Sequence, residues 1–187
     1  MGMDHFMEEV VVKKKRTLDD IVYILTWPII IFAAIYGMMM LSGAIQYIAS
    51  GQATIGQLIP SIVLGLVNAA IAVLLYLYHD RLKTEYEYTF TNGDPDFAQV
   101  FNNKKRKSLG SLKMRNIEAF GPVTGSSFQR YISMPGIMKT NWFLNRDGNL
   151  HYFYFQKDSN KRIIVCEPSE EMVKMIRQYL PHGAYQD

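Results

Sequence analysis

Ile21-Val22-Tyr23-Ile24-Leu25-Thr26-Trp27-Pro28-Ile29-Ile30-Ile31-Phe32 opens a run that reaches Tyr78 without a single Asp, Glu, Lys, Arg or His. A hydrocarbon core of roughly 30 Å takes about 20 apolar residues at about 1.5 Å rise each. The uncharged run is about twice that length with a turn to spare, so it should break in its middle. The break falls at Ala49-Ser50-Gly51-Gln52-Ala53-Thr54, where small and polar residues collect. Gly51 suits a helix C-cap, and Thr54-Ile55-Gly56-Gln57 reads as a capping box. The expectation is a transmembrane hairpin over residues 18–80, with helices at 18–49 and 55–78.

Neither helix has a charged face to show to water, which excludes a small soluble helix pair. The first apolar segment is also far longer than the about 7–15 residues of a signal-peptide core, and a second span follows it. Lys13, Lys14, Lys15 and Arg16 precede the first helix, Arg81 and Lys83 follow the second, and the loop between them is uncharged. The excess of basic residues on the cytoplasmic side of membrane helices then predicts a multi-pass protein of the cell membrane with both termini in the cytoplasm. Within the hairpin, Pro28 implies a static bend or a hinge. Gly37, Gly43, Gly65 and Ala69 offer close helix approach. Asn68 is the one deep polar residue and is expected to bond to the facing helix.

Residues 1–17 form a cytoplasmic amphipathic segment. It is either a short surface helix with Asp4 as cap and Phe6, Met7, Val10 and Val11 on one side, or a frayed terminus. Phe6 stands where a myristoylation signal needs Ser or Thr. Thr17-Leu18-Asp19-Asp20 is a second capping signal. Of 187 residues, the remainder after the hairpin suffices for one small domain, placed at 84–187. Twenty basic against 17 acidic residues give a net charge of +3, too mild for a nucleic-acid binder. The single Cys166 excludes an internal disulfide framework.

From Glu85 the composition turns to short alternating runs. Glu85-Tyr86-Glu87-Tyr88-Thr89-Phe90-Thr91 has the period of a half-buried strand, and Asn92-Gly93 supplies a hairpin turn. Further strands are expected at 97–101, 107–112, 116–120, 140–144, 150–156 and 162–166, with a helical turn at 127–132. Asn145-Arg146-Asp147-Gly148 reads as another hairpin turn. Pro168-Ser169-Glu170-Glu171 starts an amphipathic helix that ends at Pro181. The fold class is thus α+β: a helical hairpin, then a small antiparallel barrel or sandwich of about seven strands capped by a C-terminal helix.

That order is the order of a pleckstrin-homology (PH)-like domain. Tyr86 to Gly93 resembles the opening strand and first turn of the bacterial versions. Leu112-Lys113-Met114-Arg115-Asn116-Ile117-Glu118 resembles the lead into their fourth strand, and Cys166 to Glu171 the junction before their last helix. With the hairpin, the whole chain resembles an uncharacterised family of small two-span membrane proteins of Gram-positive bacteria. The resemblance implies fold and membrane location and brings no catalytic residue.

No chemistry emerges from the residues themselves. His5, His79, His151 and His182 are scattered with no second metal ligand near them in sequence, and Cys166 sits in the apolar Ile163-Ile164-Val165-Cys166 run. No phosphate-binding glycine loop, carboxylate pair or serine-nucleophile motif appears. The expectation is a protein that is not an enzyme and needs no cofactor or metal. Lys104, Lys105, Arg106 and Lys107 form a basic turn suited to anionic lipid headgroups, or simply to solvent. Two functions follow: a membrane-anchored adaptor that engages a protein partner or another copy, or a sensor of anionic lipid at the inner leaflet. An apolar groove beside the final helix favours the first, and a cationic pocket facing the bilayer favours the second.

Overall fold

The computed structural model describes residues 6–51 and 54–186, without the side chain of Gln57, and divides into two compact units. One is the helical unit Lys15–Lys83. The other joins the described residues up to Lys14 to those from Thr84 onward.

In the helical unit, α1 (Thr17–Ala49) and α2 (Ile55–Tyr78) are both long and apolar enough to cross a membrane. A 3-10 turn over His79–Lys83 ends the unit. The helices approach closely at glycine: a Cβ on Gly37 would lie 3.1 Å from the Gly65 carbonyl oxygen, and one on Gly65 would lie 2.7 Å from Leu41 Cγ. Gly51 follows the end of α1 with φ +71°, the left-handed conformation expected of it. Both capping motifs act differently from expectation. Arg16, not Thr17, is the N-cap of α1 and makes no side-chain cap bond, while Asp19 and Asp20 occupy the first turn. Thr54 caps α2 through its backbone, accepting from Leu58 N–H at 3.1 Å, and its hydroxyl makes no capping bond. The Gln57 half of that box lies outside the described residues. Asn68 also differs: its amide donates back to Leu64 O of its own helix at 2.8 Å, which serves an amide in an apolar helix without a partner across the pair.

The second unit holds two four-stranded sheets. The first is ordered β1-β2-β3-β4, from β1 (Phe6–Val11), β2 (Thr84–Thr91), β3 (Asp94–Phe101) and β4 (Lys105–Ser111). The expected surface helix or frayed terminus at the N-terminus is therefore corrected to a strand, while Asp4 and His5 lie outside the described residues. β1 pairs antiparallel with β2 from Phe6↔Thr91 to Val11↔Tyr86. Met7 and Val11 turn inward, so pairing and burial outweigh the helical reading of the same apolar residues. The helical unit is thus spliced between the first two strands of this sheet. Asn92 and Gly93 have φ +48° and +95°, and Asn102 and Asn103 have +50° and +53°, the tight-turn geometry the sequence called for.

The second sheet is ordered β5-β7-β8-β6, from β5 (Ala119–Pro122), β6 (Met138–Trp142), β7 (His151–Lys157) and β8 (Asn160–Cys166). β6 runs parallel to β8, so the hairpin expected at Asn145 to Gly148 is instead a crossover loop and the sheet is mixed. A 3-10 turn at Met114–Asn116 replaces the start of the expected 116–120 strand and buries Met114 and Ile117. The short helix α3 (Ser126–Ile132) adds Phe128, Tyr131 and Ile132 to a second apolar cluster built on Tyr152, Tyr154, Ile163 and Val165. The main core lies between the sheets, where Tyr88, Phe90, Phe97, Phe120, Phe153 and Ile164 meet the inner side of α4 (Glu170–Tyr179). Ser169 caps α4 by accepting from Met172 N–H at 3.1 Å.

Candidate functional site

Among the described residues no group of His, Cys, Asp and Glu is arranged to hold a metal ion. Cys166 is 1% exposed, its thiol donates to His151 O at 3.7 Å, and burial pushes its titration well above the ordinary range, which leaves no thiolate for chemistry. His151 is buried and stacked on Phe120. Burial lowers its pKa below the usual histidine value.

The basic turn has a defined position. Phe101, the last residue of β3, pairs with both Thr84 and Lys105. Adjacent strands lie about 4.8 Å apart, so Lys105 stands about 10 Å from Thr84, the residue at which the chain returns from the helical unit. Lys104, Lys105, Arg106 and Lys107 are all exposed. They are not equivalent: Arg106 Nε donates to Glu87 Oε2 at 2.6 Å, and Glu87 raises its pKa, with smaller contributions from Glu8 and Asp96. A second cationic place was not expected. Lys113 and Arg115 line a cleft of about 300 Å³ with Asp94 and Tyr179 at the Asn92-Gly93 turn. It lies at the far end of β2, about eight residues or about 26 Å of strand from Thr84.

The most interlocked polar cluster was also missed. Asn145, 7% exposed, donates through Nδ2 to Glu167 Oε1 at 2.9 Å and to Val12 O at 3.0 Å. Its Oδ1 accepts from Lys14 N–H at 2.8 Å, and its own N–H donates to Glu167 Oε2 at 3.1 Å. Gly148 packs against the Glu167 carboxylate where a Cβ would collide. Glu167 N–H donates to the Tyr88 hydroxyl at 3.2 Å, and that hydroxyl donates to Trp142 O. Burial raises the Tyr88 pKa, so the phenol remains a donor. Ser169 N–H reaches Glu9 Oε2 at 3.1 Å, and desolvation raises the Glu9 pKa despite that bond. Together these contacts fix the stretch at which the chain leaves β1 for the helical unit. The one sequence signal for them was the turn-like Asn145 to Gly148, whose side chains serve a distant strand rather than a local turn.

Beside this cluster runs an open groove of about 470 Å³ between Glu9 to Val12 of the N-terminal segment and Glu167 to Ser169 at the start of α4. Val10 and Val12 are 50% and 41% exposed. The groove joins apolar side chains to a strand edge.

No curated protein and no solved structure matches the chain. A family profile described as "Bacterial PH-like domain (DUF6106)" matches residues 3–186, and domains of the PH-like kind are typically non-catalytic interaction modules. Spanning both units and including the spliced helices, that match makes the chain a member of the bacterial PH-like family DUF6106.

Proposed function

We propose that the protein is a membrane-anchored interaction module with no catalytic activity of its own, its hairpin crossing the cell membrane and both termini in the cytoplasm. The observation that carries this reading is the splice. Because β1 and β2 are paired in one sheet, the chain must leave and re-enter the PH-like unit on the same side of any bilayer the helices cross. Two spans satisfy that requirement, and the basic flanks at Lys13 to Arg16 and at Arg81 and Lys83 orient them.

The partner is a protein segment bound in the groove between β1 and the start of α4. That groove combines exposed valines with a strand edge, the features of strand-addition recognition. In-cell cross-linking from Asn149, which also lines the groove, followed by purification, should recover a defined partner from the full chain. Recovery that is unchanged when Val10 and Val12 are both replaced by Lys would overturn the assignment.

A second reading has its own observation. The basic turn lies at the end of the sheet nearest Thr84, where cations gain about 1 kcal/mol each near an anionic surface. The cationic cleft at Lys113 and Arg115, at the other end of β2, favours this reading less. Full-length protein in phosphatidylglycerol nanodiscs should protect the Lys104 to Lys107 amides from exchange relative to phosphatidylcholine, and equal exchange in both would exclude lipid contact.

A further inference from the structure

β1 and β4 stand at the two ends of the first sheet, so each has one ladder edge with no strand on it among the described residues. An open edge is a template for another strand, and its side chains decide which strand it accepts. The two edges carry opposite charge. Glu8 and Glu9 occupy the middle of β1, and Lys105, Arg106 and Lys107 begin β4. Arg106 is held by Glu87 within the sheet, whereas Lys105 and Lys107 are exposed and meet no acidic group among the described residues. Glu9 accepts from Ser169 N–H and meets no cation among them.

Direction and facing narrow the choice. Neighbouring strands of this sheet are all antiparallel, so a second β1 laid beside β4 in the sense of the first continues the alternation. Opposed residues must also point to the same side of the sheet. Met7 and Leu109 both pack toward the main core. Because side chains alternate, Glu9 and Val11 share the side of Met7, and Lys105 and Lys107 that of Leu109. With all six residues of β1 lying on β4, one register meets this condition: Phe6 to Val11 against Gly110 to Lys105. It sets Glu9 opposite Lys107 and Met7 opposite Leu109, and leaves Glu8 diagonal to Arg106. Like edges fit worse. β1 against β1, in the same-side registers about its centre, puts Glu8 or Glu9 opposite its own copy, and β4 against β4 gathers three cations from each chain along one seam.

We propose that the occupant of the groove is a second copy of this chain, whose β4 adds to the free edge of β1 with Lys107 opposite Glu9. Such pairing presupposes the strand-addition reading of the groove and adds the identity of the strand. It gives the basic turn a protein contact in place of a lipid one. The contact is head to tail, so a pair keeps one free β1 and one free β4 for further copies.

Engineered cysteines test it in the full chain, because Cys166 is buried and unreactive. Glu8 and Ser108 are directly opposed in this register. Protein carrying Glu8→Cys and protein carrying Ser108→Cys are reconstituted together in phosphatidylcholine vesicles, whose neutral lipid does not compete for the basic turn, and oxidised with copper phenanthroline. The mixed disulfide dimer should exceed either homodimer by about fivefold, since opposite charges replace like ones along the seam. Adding Lys105→Glu and Lys107→Glu, both at exposed positions, to the Ser108→Cys chain should reduce the mixed dimer to the homodimer level. Dimers in the proportions of random collision, or a mixed dimer indifferent to the charge reversal, overturn the pairing. If cross-linking from Asn149 in cells then still recovers a protein in a manner that depends on Val10 and Val12, the groove reading stands with another partner. Loss of both results removes the two together.

Discussion

Asn145 joins three stretches of chain that are distant in sequence: the crossover loop, the end of β8 and the exit from β1. Asn145→Ala would leave the Glu167 carboxylate, Val12 O and Lys14 N–H short of partners in a part-buried place. The expected cost is about 1–3 kcal/mol, read from urea unfolding followed by Trp142 emission in a Trp27→Phe background. Hydrogen exchange should rise in β1 and stay unchanged in β7, which separates loss of the clamp from general loosening. Gly93 makes a second residue-scale test. With φ +95° and Tyr179 Cδ1 2.8 Å from where a Cβ would sit, Gly93→Ala should destabilise the unit by about 1–2 kcal/mol. His151 sets a pH dependence. Its folded pKa is lowered by burial, so the unfolded chain binds the proton first and stability rises with pH. The contribution is complete above the ordinary histidine value of about 6.5 and declines as pH falls below it. The pH slope in that window should vanish in His151→Gln, whatever its baseline stability.

At the scale of elements, β1 decides what can be cut from what. Residues 84–187 alone lack the strand that covers β2 and contributes Met7 and Val11 to the core. That fragment should be poorly folded by near-UV circular dichroism. Joining Phe6–Lys14 to Thr84 through a linker of about six Gly and Ser residues should restore cooperative melting, since Val11 already lies opposite Tyr86. The same strand marks the limit of what could be read without the structure. The two helices, the Asn-Gly and Asn-Asn turns, the α3 turn and the cap of α4 were legible because each depends on residues close in sequence. β1 was not, because a six-residue edge strand without strict alternation gains its stability from a partner more than seventy positions away. The parallel pairing of β6 with β8 was hidden for the same reason, and a local turn motif at Asn145 pointed to the wrong neighbour. The basic turn was legible as a cluster, whereas the engagement of Arg106 by Glu87 was not, since it needs the cross-strand register.

For the whole molecule, the splice ties topology to fold. Cys166 is buried and unreactive, so single cysteines introduced elsewhere report cleanly. In intact cells an impermeant maleimide should label Ser50→Cys in the interhelical loop and spare Ser108→Cys on β4 until the membrane is permeabilised. Labelling in the reverse order would invert the orientation, and labelling of both in intact cells would be incompatible with two spans. Splicing the hairpin into the sheet also imposes an order in time. β1 is made before both helices, yet 72 residues separate Val11 from Thr84, where β2 begins. At about 5–20 residues per second, the ribosome needs roughly 4–14 s to supply that partner. Through that interval Phe6, Met7, Val10 and Val11 have no sheet to join while both apolar helices are being made. Chains stalled within the second helix hold an unpaired apolar strand, making the β1 segment the part of the chain most in need of a chaperone.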